Sequence, residues 1–308
     1  MRNELAIRRF LTRMGPQQTD ALIIGGGPAG LLAAVYLARF RRRVIVLDSG
    51  KSRAALIPRT RNAPGFPDGI EGPALLERLH IQAAEYGAER VDAKAERVCR
   101  REEGGFLVET EDARFEAPTL LLATGVANVE PPLADHDAAV RKGLLRYCPI
   151  CDAHEVIGKR VVIVGNSARS AAELSFLSTY SDDVSIVAAN EEAEDVLAGA
   201  GCAPLGVASQ ITPARNGIAI VLADGRTQRF DTMYSCLGVR PQTGLAEQLG
   251  VQLAQEHTIE TDKRQSTSVD GVFAAGDVVH ALDQIAVAFG HAAIAATAMH
   301  NFLRARES

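Results

Sequence analysis

Cysteine is scarce, five in 308 residues, which excludes the dense disulfide framework that staples small secreted domains. Basic residues are outnumbered, Lys and Arg totalling 33 against 38 Asp and Glu for a net charge of -5. That removes the positive footprint by which proteins hold nucleic acid or an anionic membrane as their main partner. No uninterrupted apolar run reaches the roughly eighteen residues that a bilayer span needs. Arg8-Arg9-Phe10-Leu11 glances at a twin-arginine signal, but no apolar stretch follows it before Asp20. Residues 1–16 therefore read as a short basic extension, and the chain as a protein of the reducing cytoplasm. With 47% apolar and 23% charged residues, its length suits about two globular domains.

Two of the cysteines stand together in Tyr147-Cys148-Pro149-Ile150-Cys151-Asp152, while Cys99, Cys202 and Cys236 are scattered singly. Thiols at this spacing can close a small disulfide ring, and a helix start or nearby base lowers the pKa of one so that it attacks as thiolate. Pro149 fixes a backbone angle between the sulfurs, and Asp152 places a carboxyl where it can protonate a departing thiolate. The competing reading is half a zinc site with His154 as third ligand; it lacks a fourth ligand and a second cysteine pair. In a reducing compartment such a pair cycles rather than staples, so redox chemistry without a metal is expected.

The dithiol lies between two units that each run strand, tight turn, helix, strand. In the first, Ala21-Leu22-Ile23-Ile24 reads as a buried parallel strand, followed by Gly25-Gly26-Gly27-Pro28-Ala29-Gly30, a helical pattern over 31–40, and a second strand over 43–47 that ends at Asp48. This is a dinucleotide fingerprint. Gly25 permits the turn, Gly27 lets the backbone approach a pyrophosphate, and Gly30 lets helix and strand pack closely. The helix start, with Pro28 and Ala29, offers partial positive charge to phosphates. Asp48, about twenty residues on, is placed for ribose hydroxyls. A Pro- and Gly-rich loop over 61–70 contains Asn62; a helix over 73–86, antiparallel strands near 96–100, 105–109 and 114–117, and a buried strand ending in Ala123-Thr124-Gly125 follow. Pro131-Pro132 marks a domain boundary.

The second unit repeats the architecture over 160–188, but not the glycines. Gly165 remains, Ser167 and Ser170 stand where the second and third glycines belong, and the second strand ends in Ala189-Asn190-Glu191-Glu192. A site for NADPH wants Arg there for the 2′-phosphate. Glu191 is either a ribose ligand for NADH or part of a solvated face. Ser170 in place of glycine is expected to loosen the helix against its strand. Residues 269–277 give one more strand, ending in Gly276-Asp277, and a long helix over 284–303 closes the chain; its His291 faces a cofactor or sits as a core residue. The expected fold class is α/β, two Rossmann-like three-layer domains with the second inserted into the first: residues 17–131 plus 248–308, and residues 132–247.

With these motifs in order, the chain resembles the low-molecular-weight thioredoxin reductases along nearly its whole length after residue 18. The motifs are Gly25 to Gly30, Asn62-x-Pro64-Gly65-Phe66-Pro67, Ala123-Thr124-Gly125, Cys148-x-x-Cys151-Asp152, Gly271-Val272-Phe273-Ala274-Ala275-Gly276-Asp277, and Gln284. The resemblance implies that FAD, not NAD, occupies the first fingerprint, that Asp277 takes ribityl or phosphate contacts, and that Gln284, the Ile285 amide and Asn62 lie by the flavin. It also implies that Cys151 faces the flavin, that Cys148 attacks the substrate, that Asp152 is the acid, and that the protein is a homodimer whose second domain rotates. The chain departs from that pattern at the second fingerprint, at Ala188-Ala189-Asn190 in place of His-Arg-Arg, at Asp283 in place of Arg, and at Ala153 in place of Gly.

The expectation is an FAD-dependent thiol–disulfide oxidoreductase that NADPH does not drive efficiently, resembling the branch of that family with a degenerate NADPH site. Its outside partner is a thioredoxin-like protein or a small dithiol or disulfide, and its donor an electron-donor protein or the dithiol itself. A dithiol oxidase of the gliotoxin and holomycin type with oxygen as acceptor, a conventional NAD(P)H-dependent thioredoxin reductase, and a non-enzymatic flavin redox sensor remain as alternatives.

Overall fold

The computed structural model describes residues 15–133, 135–214 and 216–307; the basic extension lies outside the described residues up to residue 14. The chain divides into two compact units, one of residues up to 55, 73–126 and 241 onward, the other of residues 56–72 and 127–240.

The first unit is built on five parallel strands in the order Val272–Ala274, Leu120–Leu122, Ala21–Ile24, Val44–Asp48, Glu89–Asp92. Successive strand residues point to opposite faces, and both faces are covered here. Ala21, Ile23, Val44, Val46, Leu121 and Phe273 pack with the helices Pro28–Arg39 and Ile285–Glu307. Leu22, Ile24, Ile45, Leu47, Leu120 and Leu122 pack with Val98, Phe106, Val108 and Phe115 of a four-stranded sheet. Burial on two sides is why these strands read as continuous apolar runs. Glu89–Asp92 has no such run because it is a largely exposed edge strand, and it escapes the sequence pattern. The first helix starts at Pro28 rather than residue 31, proline being suited to the first helical position. Ile285–Glu307 is long and apolar enough to cross a membrane, with mean hydropathy 1.2. Yet Ala288, Ala292, Ala295, Ala296, Met299 and Leu303 bury one face of it in the unit's own core.

The second unit has four parallel strands in the order Leu145–Arg146, Thr232–Cys236, Val161–Gly165, Val184–Ala188. Val162 and Val164 face a core completed by Ile211, Ile218, Ile220 and Leu222 of a three-stranded antiparallel sheet. Val161 and Ile163 face the helices Ala168–Leu177 and Glu191–Gly199 through Leu177, Ala193 and Leu197. Both units are thus three-layered α/β folds.

Leu121 is fully buried in a strand paired on both sides. Leu121→Ala should lower stability by about 2–5 kcal/mol, read as a fall in the urea midpoint followed by circular dichroism.

Candidate active site

Cys148 and Cys151 form a disulfide with their Cα atoms 5.2 Å apart, across a single helical turn, Pro149–Asp152. Pro149 opens that turn, where a missing N–H costs nothing. Ala153 and Val156 of the next turn are buried in the unit's core and anchor the segment. The strand Leu145–Arg146, directly before it, runs parallel to Thr232–Cys236 with Arg146 opposite Tyr234. This register delivers both side chains to Asp152. The Tyr234 hydroxyl donates to Oδ1 at 2.7 Å, and Arg146 Nη1 donates to Oδ2. Partial burial raises the Asp152 pKa from its ordinary value; the Arg146 charge and the two hydrogen bonds oppose this without cancelling it, and Glu155 adds to it. Burial and the neighbouring carboxylate together hold the Tyr234 phenol far above its usual value, so it stays protonated. His136 bonds through Nε2 to the Tyr147 hydroxyl. His154 is exposed, and among the described residues no three His, Cys, Asp or Glu side chains converge on a metal position.

In the first unit the turn after Ala21–Ile24 closes backbone against backbone. Gly25 adopts φ 116°, and a Cβ on it would lie 2.2 Å from the Ala123 carbonyl oxygen. A Cβ on Gly30 would lie 1.9 Å from the Gly25 oxygen, so neither position admits another residue. A Cβ on Gly26 would lie 2.2 Å from Asp48 Oδ2, while Asp48 Oδ1 accepts from the Gly50 N–H at 2.9 Å. The helix beyond is capped at Gly27 without a side-chain hydrogen bond, which suits its first N–H groups to a phosphate. Gly276 packs so closely that a Cβ on it would meet the Ala29 Cβ at 3.0 Å. Asp277 therefore stands at the same helix start. Arg53 Nη1 lies 3.4 Å from Asp277 Oδ2 and 3.1 Å from Asp283 Oδ2; burial, then the Asp283 charge, raise the Asp277 pKa.

Of the remaining predicted residues, Thr124 adjoins the glycine turn, its backbone nitrogen 3.3 Å from where a Cβ on Gly25 would stand. Thr124 Oγ1 donates to the Gln242 carbonyl at 2.7 Å, and Gly125 accepts from the Gln242 N–H at 3.0 Å. Gln284 accepts from the Ala288 N–H at 2.9 Å, just before Ile285 opens the last helix. His291 Nδ1 is buried without a partner, and burial lowers its pKa and keeps the ring neutral. Asn62, whose Oδ1 accepts from Thr60 Oγ1 at 2.8 Å, belongs to the second unit. Gly25 to Gly30, Asp48, Gly276 and Asp277 are brought together, and this glycine cradle with its acid at the strand tip fits a bound dinucleotide.

The corresponding turn of the second unit is closed by side chains. Ser170 is 1% exposed; its Oγ donates to the Cys236 carbonyl at 3.1 Å and accepts from the Asn166 N–H at 3.3 Å. The expected loosening is therefore not found, because the hydroxyl ties the turn to the neighbouring strand. Asn190 Oδ1 accepts from the Ala193 N–H at 2.8 Å and caps the helix Glu191–Gly199. Glu191 and Glu192 lie exposed in its first turn, where carboxylates complement the helix dipole.

Arg146 and Tyr234 were not legible as site residues. Arg146 is close in sequence to the dithiol but carries no motif, and Tyr234 reaches Asp152 only through strand pairing.

A thioredoxin reductase from Peptoclostridium acidaminophilum is 30% identical, covering 93% of this chain and 97% of its own length. Among solved structures, HlmI superposes with a TM-score of 0.81 at 27% identity, covering 94% of this chain and 93% of its own. The thioredoxin reductase from Streptococcus pyogenes MGAS5005 does so with a TM-score of 0.83 at 25% identity, over 94% of this chain and all (100%) of its own. The sequence profile of the pyridine nucleotide-disulphide oxidoreductases matches residues 19–292, so the chain belongs to that family, as an FAD-dependent disulfide oxidoreductase of the thioredoxin reductase type.

Proposed function

We propose that this enzyme moves electrons between FAD, the Cys148–Cys151 pair and an external thiol or disulfide, and that NADPH is not its efficient donor. The observation that carries the reading is the side-chain closure of the second-unit turn. The Asn166 amide, which in a glycine turn would be available to a phosphate, is taken by Ser170 Oγ. Glu191 and Glu192, at the position suited to a 2′-phosphate ligand, are anionic and serve their own helix. A hydrogen bond to a charged partner contributes about 1.5–3 kcal/mol, and roughly 1.4 kcal/mol is tenfold in affinity. Losing one or two such bonds weakens NADPH tens- to hundreds-fold.

In this reading residues 17–131 and 248–308 form the FAD domain and 132–247 the domain carrying the dithiol. Gly25, Gly27, Pro28, Ala29 and Gly30 would hold the pyrophosphate and Asp48 the ribose hydroxyls. Thr124, Gly125, Gly276, Asp277, Gln284 and Ile285 would complete the FAD site. Bound FAD supplies a two-electron store. The protein's own part is thiol exchange. An external thiolate attacks Cys148 and Cys151 departs as thiolate; the second external sulfur then displaces Cys148, which takes a proton from Asp152. The external dithiol loses two electrons and the cysteine pair gains them. Run in reverse, the same steps reduce a disulfide in a small molecule or a thioredoxin-like protein.

Two measurements check this. Mixed anaerobically, micromolar NADPH should leave the flavin absorbance unbleached over seconds, whereas dithiothreitol should bleach it; full bleaching by NADPH within a second would return the protein to the conventional reductases. Separately, Cys148→Ser should show long-wavelength absorbance from a Cys151 thiolate beside oxidised flavin, and Cys151→Ser should not. Asp152→Asn should slow the thiol step by about 10²–10⁴-fold with flavin content unchanged.

A further inference from the structure

We propose that Tyr234 and Arg146 are positioning residues that decide which oxygen of Asp152 carries the exchanged proton: Arg146 reserves Oδ2, and Tyr234 holds the proton position on Oδ1. This rests on the reading of Asp152 as the acid that serves Cys148. The two donors are unlike. A guanidinium has N–H donors and no acceptor, so an oxygen it contacts cannot also present a proton toward it; a phenol can both donate and accept. When Asp152 is ionised, Tyr234 donates to Oδ1 at 2.7 Å. When Asp152 is protonated on Oδ1, the same hydroxyl can rotate and accept, but its own O–H then gives up the carboxylate, so the pair bonds the ionised form more strongly. A proton on Oδ2 would instead confront Arg146 Nη1.

Arg146 is fixed in that role. Its guanidinium packs on Gly143, where a Cβ would lie 3.2 Å from Nη2, and its Nε is buried without a partner. Tyr234 has no exposed surface. The titratable and charged groups around Asp152 come from three elements: Arg146 on one strand, the neutral Tyr234 on the next, and Glu155 on the following turn, itself 3.6 Å from Arg61. Proton transfer is then Asp152 carboxylic acid plus Cys148 thiolate giving Asp152 carboxylate plus Cys148 thiol, with the Tyr234 hydroxyl reversing from acceptor to donor as the proton leaves Oδ1.

The sign follows from the partners. The Tyr234 bond favours the carboxylate and lowers the Asp152 pKa, so its removal raises that pKa further, and an acid with a raised pKa keeps its proton to higher pH. The test is stopped-flow flavin bleaching by dithiothreitol across pH for the FAD-loaded wild type, Tyr234→Phe, Arg146→Gln and Asp152→Asn, each divided by the ionisation of dithiothreitol common to all. The limb lost as pH rises should move up by about one to two pH units in Tyr234→Phe, further in Arg146→Gln, and vanish in Asp152→Asn. An Asp152→Asn profile equal to wild type would remove Asp152 as the acid and the reading beneath this one. A limb that vanishes in Asp152→Asn yet stays at its wild-type pH in Tyr234→Phe, with far-UV circular dichroism unchanged, would overturn the positioning role alone.

Discussion

A partly buried carboxylate beside a redox disulfide, its side chain 25% exposed, is the constraint around which the second unit is arranged. Taking such a group out of water is unfavourable unless each oxygen is answered by a donor, and Asp152 is answered on both. The donors come from adjacent parallel strands, held in register by Leu145 opposite Met233 and Arg146 opposite Tyr234. That register is in turn held by the core beneath, since a slip of one residue would turn every side chain of the strand to the other face. The chemistry at Cys148 thus depends on the packing of Leu145, Met233, Val162 and Val164.

The two strand–turn–helix units show how one architecture admits or refuses a ligand. Around Gly25 and Gly30 the backbone itself fills the space, and the N–H groups at the helix start suit a phosphate. Around Gly165 and Ser170 the same space holds a hydroxyl whose hydrogen bonds are internal. The substitution of serine for glycine leaves the fold in place because the polar atom finds partners; an unpaired one would cost about 1–3 kcal/mol. The fold is kept, and the turn is drawn inward.

Much was legible beforehand. Apolar runs such as 21–24 and 120–122 announced buried parallel strands because both faces are covered, and the glycine spacing announced a cradle because no other residue fits it. The polar edge strand Glu89–Asp92 was silent, since an exposed edge needs no apolar signature. The acids at 191 and 192 gave no sign of the helix that they begin, which Asn190 caps.

The sequence by itself determined the order of the units, the glycine turn, and the adjacency of Cys148, Cys151 and Asp152, because each rests on contacts within a few residues. Only the tertiary structure decided that Tyr234, 82 residues from Asp152, would share its carboxylate with Arg146, and that Ser170 would close onto Cys236. Pairings of that kind are set by strand register and by burial in a common core, which no local pattern encodes.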